Sequence, residues 1–465
     1  MTVAALLAQG LGHHRAGRLA EAEGLYRQVL ETAPEHGEAL NLLGVARAQQ
    51  GALAEGRALL QRAVAAEPER AEVHANLGQI ELMAGERAAA ERCYRQALTL
   101  APDHQAARLN LGNLLLAGDR MEEAAACFEQ LAAQTPALAE AHEGLGFARQ
   151  RQQRPAEARA AFEAALARRP AGQAARAPLL ANLGGLLLDG GDAAGAVDRL
   201  KEAVALAPDQ AELRANLGIA LYAYGDLEGA LTALDGALAQ APAHTRALGA
   251  KGVLLAELGR SEEAAQIVDY DALLYVQPVT PPPNGGSLEA FNRALATQVL
   301  AAPSLMAERA GKTTRGGSQS GELFRRPDGA LAHLVAEIER AMGAYFATGD
   351  GHPHRPRRPH RARLTGWATV LESGGHQDPH NHPGGVLSGV YYVRLPATAD
   401  EVEGNLEFGR PSAGLGTAFT PKLHRVVPKE GQLVLFPSHF WHHTIPFESA
   451  ETRISIAFDL VPISD

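Results

Sequence analysis

The chain is poor in cysteine and aromatics and has no apolar run long enough to span a bilayer. Its two cysteines, Cys93 and Cys127, cannot build a disulfide framework, so a reducing compartment is expected. An excess of basic residues is missing as well. The formal net charge of -10 argues against general nucleic-acid binding. The first residues, MTVAALLAQGLGHHRAG, contain no basic region followed by a long apolar core, so no signal peptide is expected. Together these absences predict a soluble cytoplasmic protein with no membrane and no nucleic-acid partner. Aromatics make up 5% of the chain while Ala and Leu abound, which points to a large helical portion. At 465 residues, about two to four domains fit the length.

What the chain does have is a period. A Gly, usually after Leu, recurs at Gly10, Gly44, Gly78, Gly112, Gly146, Gly184, Gly218 and Gly252, spaced by 34 with one step of 38. Pro follows 24 residues later at Pro34, Pro68, Pro102, Pro136, Pro170, Pro208 and Pro242. A second Gly sits seven after the first at Gly17, Gly51, Gly85, Gly191, Gly225 and Gly259. An aromatic or Leu falls at Tyr26, Leu60, Tyr94, Phe128, Phe162, Leu200 and Leu234. This pattern resembles the tetratricopeptide repeat: two antiparallel helices, small residues where they touch, Pro where the second ends. One such pair cannot cover its own apolar face, so neighbours stack. Cys93 and Cys127 occupy one slot in adjacent repeats and read as small packing residues. Where the next Pro is due stands Val276, and a strand-like run, Leu273–Val276, begins.

Asn stands two residues before the signature Gly at Asn76, Asn110, Asn182 and Asn216. In the tetratricopeptide family this position lies on the first helix of each repeat and lines the concave surface. Each amide offers a donor and an acceptor, so a ladder of them suits a peptide backbone whatever its side chains. The repeat domain of O-linked N-acetylglucosamine transferase resembles this arrangement. The resemblance implies a peptide or protein substrate on the concave surface; bonding between neighbouring repeats is the alternative role.

Residues 278–286, PVTPPPNGG, read as a stiff connector. Helical periodicity returns at Ser287–Ala302 and Ala330–Tyr345, separated by a polar, Gly-rich segment, Lys312–Gly321. His352–Arg363, HPHRPRRPHRAR, reads as a solvated, Pro-stiffened loop in preference to an anion-binding segment. From there the texture is β, with strands expected near Arg363–Glu372, Val386–Leu395, Asn405–Phe408, Gln432–Phe436 and Arg453–Leu460. Short strands with glycine turns suggest a barrel or jelly roll. The expected organisation is a multidomain α + β protein: an all-α repeat superhelix at 1–268, a connector at 269–286, and a β domain with flanking helices at 287–465.

The chemistry gathers in HQDPHNHPGGVLSGVYYV, where His376, Asp378, His380 and His382 fall within seven residues ahead of a buried strand. Imidazoles and a carboxylate held by a rigid strand are what a mononuclear metal site needs. A second cluster, LVLFPSHFWHHTIPF, brings His439, His442 and His443. Downstream, RISIAF places Arg453 and Ser455 on one face of a strand. An Arg pointing into an apolar barrel is costly unless it meets an anion, and a dicarboxylate would supply one.

His380-Asn381-His382-Pro383, Ser388–Tyr392, Gly404–Phe408, Phe436-Pro437-Ser438, Trp441-His442 and Arg453-Ile454-Ser455 together resemble the 2-oxoglutarate and Fe(II)-dependent oxygenases. The bacterial and phage group with His-x-His-Pro and Ser-Gly-Val-Tyr-Tyr is the most similar. The resemblance implies a double-stranded β-helix, or jelly roll, and a hydroxylase using Fe(II) and 2-oxoglutarate, with ascorbate as a stimulant. By position it implies His442 as the distal iron ligand and His380 and His382 as the proximal ones. His376 and Asp378 form an alternative pair, since most of the superfamily uses His-x-Asp or His-x-Glu. Arg453 with Ser455 would grip the far carboxylate of 2-oxoglutarate beside Tyr392; His439 and His443 would be spectators. Three other readings stand beside this one. They are a scaffold whose barrel binds without turnover, a cupin-like metal enzyme, and a small-molecule hydroxylase whose repeats serve assembly.

Overall fold

The computed structural model describes residues 1–282, 286–307, 312–348, 351–398, 400–412, 415 and 421–463. Residues 283–285 of the expected connector lie outside that set. The chain falls into two compact units, Met1–Leu183 and Gly184–Asp465.

The first unit is a run of antiparallel helix pairs. It opens with Val3–Arg15 and Leu19–Thr32 and continues through Ala139–Arg151 and Pro155–Ala167. The periodic Gly and the periodic aromatic or Leu meet inside each pair. A Cβ added at Gly112 would sit 2.7 Å from the Phe128 ring, and one at Gly10 2.5 Å from Tyr26. Tyr26, Tyr94, Phe128 and Phe162 are buried as a result. The second Gly marks the turn between helices and has positive φ, as at Gly51 and Gly85. Where the series skips a Gly, Asp119 and Gln153 take the same left-handed conformation, a strain of about 1 kcal/mol each. Both cysteines are free and half-buried against the helix cores.

In the second unit the repeats continue, with Gly184 against Leu200 and Gly218 against Leu234. The last pair is Thr245–Glu257 and Ser261–Ile267. A single helical turn, Tyr270–Leu273, then leads into an antiparallel sheet of the jelly-roll type. Its strands are β1 (Tyr275–Pro278), β2 (Met306–Ala307), β3 (Thr314–Gln319), β4 (Ala362–His380), β5 (Leu387–Arg394), β6 (Leu406–Phe408), β7 (His424–Val426), β8 (Gln432–Pro437), β9 (His442–Thr444) and β10 (Arg453–Pro462). The main path runs β1-β8-β5-β10-β4-β9-β6-β7, with β2 on β3 and β3 on β4. Helices Leu288–Leu300 and Gly329–Ala347 share one apolar core with the sheet, through Phe291, Leu295 and Ile338 on one side and Tyr391, Leu433 and Ile456 on the other.

The two flanking helices and five strands fall where the periodicity places them. Three features differ. The segment Lys312–Gly321 contains strand β3, whose Gly317 leaves room for the Val370 carbonyl of β4; an added Cβ would meet that oxygen at 2.3 Å. β4 does not end near Glu372 but continues through the His-rich motif to His380, so His376 and Asp378 belong to a strand and not to a turn. The run at Leu273 begins as helix, and the strand starts two residues later. Arg355 of the basic loop is spent on structure. It donates to the Ala272 carbonyl at 2.6 Å and lies over the Tyr345 ring.

The last repeat is bonded to the barrel. Thr245 donates to the Gly385 carbonyl at 2.8 Å, Trp441 Nε1 to Gly249 at 3.2 Å, and His439 Nε2 to Ile267 at 3.0 Å. Burial pushes His439 down from 6.5 to about 4, only partly offset by the Ile267 bond. Because the folded value lies below the unfolded one, this contribution to stability is whole above about pH 6.5. It is lost as pH falls toward about 4, by on the order of 3 kcal/mol in full. A His439→Gln variant should therefore show a flatter fall in urea-unfolding free energy between pH 7 and 5. Parallel pH profiles for variant and parent would contradict this.

Candidate metal centre

Three imidazoles converge at the mouth of the sheet because two strands end there in register. His380, the last residue of β4, pairs directly with His442, the first of β9. Their ring centroids are 4.4 Å apart. His382 follows two residues after β4 and is tied by its backbone N–H to the Ser438 carbonyl at 2.9 Å. Its ring centroid lies 5.1 Å from that of His380 and 5.0 Å from that of His442. One ligand atom from each ring lies within 4.8 Å of the others.

The outer nitrogens fix which atoms face inward. His380 Nδ1 donates to the Asp378 carbonyl at 2.7 Å and His442 Nδ1 to the Phe440 carbonyl at 3.0 Å. A carbonyl only accepts, so Nδ1 carries the proton and Nε2 keeps its lone pair. His382 Nδ1 meets Asp459 Oδ2 at 2.8 Å, and its Nε2 is buried with no partner. Burial, reinforced by the neighbouring His382, pushes His380 down to about 3. Burial, then His380 and His382, holds His442 well below its ordinary value. The His380 and His442 rings are therefore neutral at pH 7 and ready to ligate. Three convergent imidazole lone pairs suit a divalent transition metal. Trp367 stacks on His382 at 19° and 5.6 Å, and Phe436 stands edge-on to His442 at 4.7 Å.

The alternative ligands are not in this group. Asp378 pairs with Arg315 at 2.8 Å and with His376 Nε2 at 3.5 Å, so both are engaged with each other and with β3. His443 faces the buried Glu407 at 3.5 Å, and His439 bonds Ile267.

Arg453 opens β10 and is 2% exposed. Its Nη1 donates to Ser455 Oγ at 3.2 Å, and its guanidinium lies 5.2 Å from the Tyr392 ring centre. Ser455 and Tyr392 are themselves cross-strand partners. Arg453 Nε and Tyr392 Oη are both buried without a partner, and no carboxylate among the described residues pairs with this arginine. Burial pushes Tyr392 up to about 12, with Arg453 opposing it, and burial pushes Arg453 down. One cavity is lined by Arg453, Ser455, Tyr392 and all three histidines. It offers lone pairs for a cation and donors for an anion, so Fe(II) and the dianion 2-oxoglutarate fit the groups present. A groove lined by Lys312, Thr313, Gln319, Gln377 and Asn381 shares His380 and His382 with that cavity.

Asp459 and Trp367 escaped the reading of the sequence. Asp459 had a signal: it continues the alternation Arg453, Ser455, Ala457 along one face of β10. In the repeats, Asn76 donates to Asn41 at 2.9 Å and Asn110 to Gln79 at 3.2 Å, while Asn216 accepts from Arg246 at 3.2 Å. Asn182 is half-buried.

Residues 365–459 match the family described as "Putative 2OG-Fe(II) oxygenase". Two profiles of the tetratricopeptide repeat match 13–80 with 187–236, and 75–139 with 216–273. The chain carries tetratricopeptide repeats followed by a 2OG-Fe(II) oxygenase domain. The matched part of the oxygenase domain takes in all three histidines, Tyr392, Arg453 and Asp459. No curated protein matches the chain. Several solved structures resemble part of it. MamA has 24% identity and a TM-score of 0.32, over 34% of this chain and 93% of that one. YrrB, "a TPR protein with an unusual peptide-binding site", has 26% identity and a TM-score of 0.34, over 38% and 91%. A tetratricopeptide repeat protein from Parabacteroides merdae has 18% and 0.40, over 51% and 93%. Among the described residues, no helix is long and apolar enough to cross a membrane.

Proposed function

We propose that this protein is an Fe(II)/2-oxoglutarate-dependent hydroxylase acting on a peptide or protein captured by its repeats. The observation that carries the reading is Arg453, a buried guanidinium without a carboxylate, lining the same cavity as three convergent imidazoles. His380, His382 and His442 would hold the iron. Arg453, Ser455 and Tyr392 would grip the far carboxylate of 2-oxoglutarate. When bound, the pair would supply hydroxylation of an unactivated C–H by O2, one oxygen atom entering the alcohol and the other the succinate formed as 2-oxoglutarate loses CO2. The chain's own work is orientation and dryness: Phe436, Leu406 and Val390 wall the cavity, and the groove beside Trp367 admits the substrate. A reducing cytoplasm would keep the iron ferrous and both cysteines as thiols.

Purified protein given Fe(II), ascorbate and 2-oxoglutarate should release succinate, and more of it when cell lysate is offered as substrate. Succinate at background with and without lysate would overturn the reading. Capture by the repeats would use the spare hydrogen-bonding capacity of Asn76, Asn110, Asn182 and Asn216. Replacing Asn110 and Asn182 together by alanine should weaken substrate capture by ~30-fold, at roughly 1 kcal/mol for a bond from each. Iron content should stay unchanged. Unaltered capture in a binding titration would leave these asparagines with only their bonds between repeats.

A further inference from the structure

The triad contains no carboxylate, yet one stands directly behind it. Asp459 sits on β10 between Ser388 of β5 and Thr365 of β4, its register partners. Its Oδ2 accepts from His382 Nδ1 at 2.8 Å, and its Oδ1 accepts from Ser388 Oγ at 2.6 Å. Ser388 has a single hydroxyl proton, so the 2.7 Å contact between Ser388 and Ser438 must be a donation from Ser438. The direction of the chain is therefore set: Ser438 to Ser388 to Asp459, with His382 donating from the other side. Room for it depends on Gly385, where a Cβ would lie 2.6 Å from Ser438 Oγ. Among the described residues, His382 is the only Lys, Arg or His side chain within ion-pair distance of the Asp459 carboxylate, which is 13% exposed.

We propose that Asp459 is a positioning residue that returns to the three-histidine centre the negative charge a ligating carboxylate would have supplied, delivered through His382. A carboxylate behind an imidazole fixes its tautomer, aims its free nitrogen and raises its basicity. Three neutral imidazoles alone leave the full charge of a divalent ion unbalanced. Asp459 offsets part of that charge without occupying a coordination position. Ser388 and Ser438 hold the carboxylate's orientation. This rests on the metal-centre reading above.

The test uses the full chain and Co(II) as a spectroscopic probe, without 2-oxoglutarate, so that turnover plays no part. Asp459→Ala should weaken Co(II) binding by ~10–100-fold in competition with a chelator. Asp459→Asn keeps the shape and can still accept from His382. It should bind Co(II) ~10-fold more weakly than the parent, and its saturated visible spectrum should differ. Ser388→Ala, which keeps the charge but frees the carboxylate, should fall between the parent and Asp459→Ala. If the alanine variant does not fold, the near-isosteric asparagine variant decides. Parental affinity and spectrum in Asp459→Asn would overturn the inference. So would a loss of affinity with an unchanged spectrum, the mark of a merely structural role. A parent chain that binds no Co(II) would instead bring down the metal centre itself, and this inference with it.

Discussion

Replacing His442 with alanine is expected to empty the metal centre. His442 is buried, directly opposite His380 in the β4–β9 register, and packed against Phe436 and Phe408. Water entering the vacated space would be a poor ligand among aromatic walls. Two imidazoles remain, too few to hold a divalent ion against a chelator. Losing a directly ligating group should cost more than the ~10–100-fold typical of a group one shell further out. Iron retained after gel filtration should drop to background, and succinate release with it. The fold should survive, since the variant gives up one hydrogen bond, to Phe440, at about 1 kcal/mol. His376→Ala is the matching control and should leave iron content unchanged. Stoichiometric iron in the His442 variant would mean that the three rings do not form one site.

Arg453→Met is expected to separate binding from stability. Arg453 is a desolvated cation with an unpartnered Nε and, among the described residues, no carboxylate beside it. Exchanging such a charge for an apolar chain of similar length is often neutral or stabilising. The thermal midpoint of the protein should hold or rise, while its iron content stays at the parental level. Removing one partner of a buried charge pair typically costs 2–5 kcal/mol, so the KM for 2-oxoglutarate should rise ~10²–10³-fold. A variant that lost stability and kept its KM would place the arginine in the structural core and leave the cosubstrate without its anchor.

The repeats were readable because register over eight units needs many positions to agree, and each signature Gly from Gly10 to Gly218 lies against its periodic aromatic or Leu. The strands were readable where β-branched and aromatic residues concentrate between Gly and Pro turns, as along Leu387–Arg394 and Arg453–Pro462. Thr314–Gln319 hid because a strand rich in Gly, Ser and Thr has the composition of a loop. The end of β4 hid because Gly374, Gly375 and Pro379 suggest a turn, while pairing with β3 and β9 keeps the backbone extended. The resemblance implies His380, His382 and His442 and leaves His376 and Asp378 as an alternative pair. In the structure Asp378 is engaged by Arg315 of β3, a contact between segments some sixty residues apart in the chain that local pattern cannot encode. Asp459 lay two steps further along an alternation already recognised.

Cutting this chain between Val268 and Asp269, where the helical period stops, would not free a self-sufficient catalyst. The indole of Trp441 and the imidazole of His439 would lose their acceptors at Gly249 and Ile267, and the Gly385 carbonyl would lose Thr245. Water would take over these polar contacts, but the packing that holds His439 and Trp441, just ahead of His442, would be gone. Evolution could exchange the leading repeats for others with a different appetite, but the final helix pair must be inherited together with the barrel.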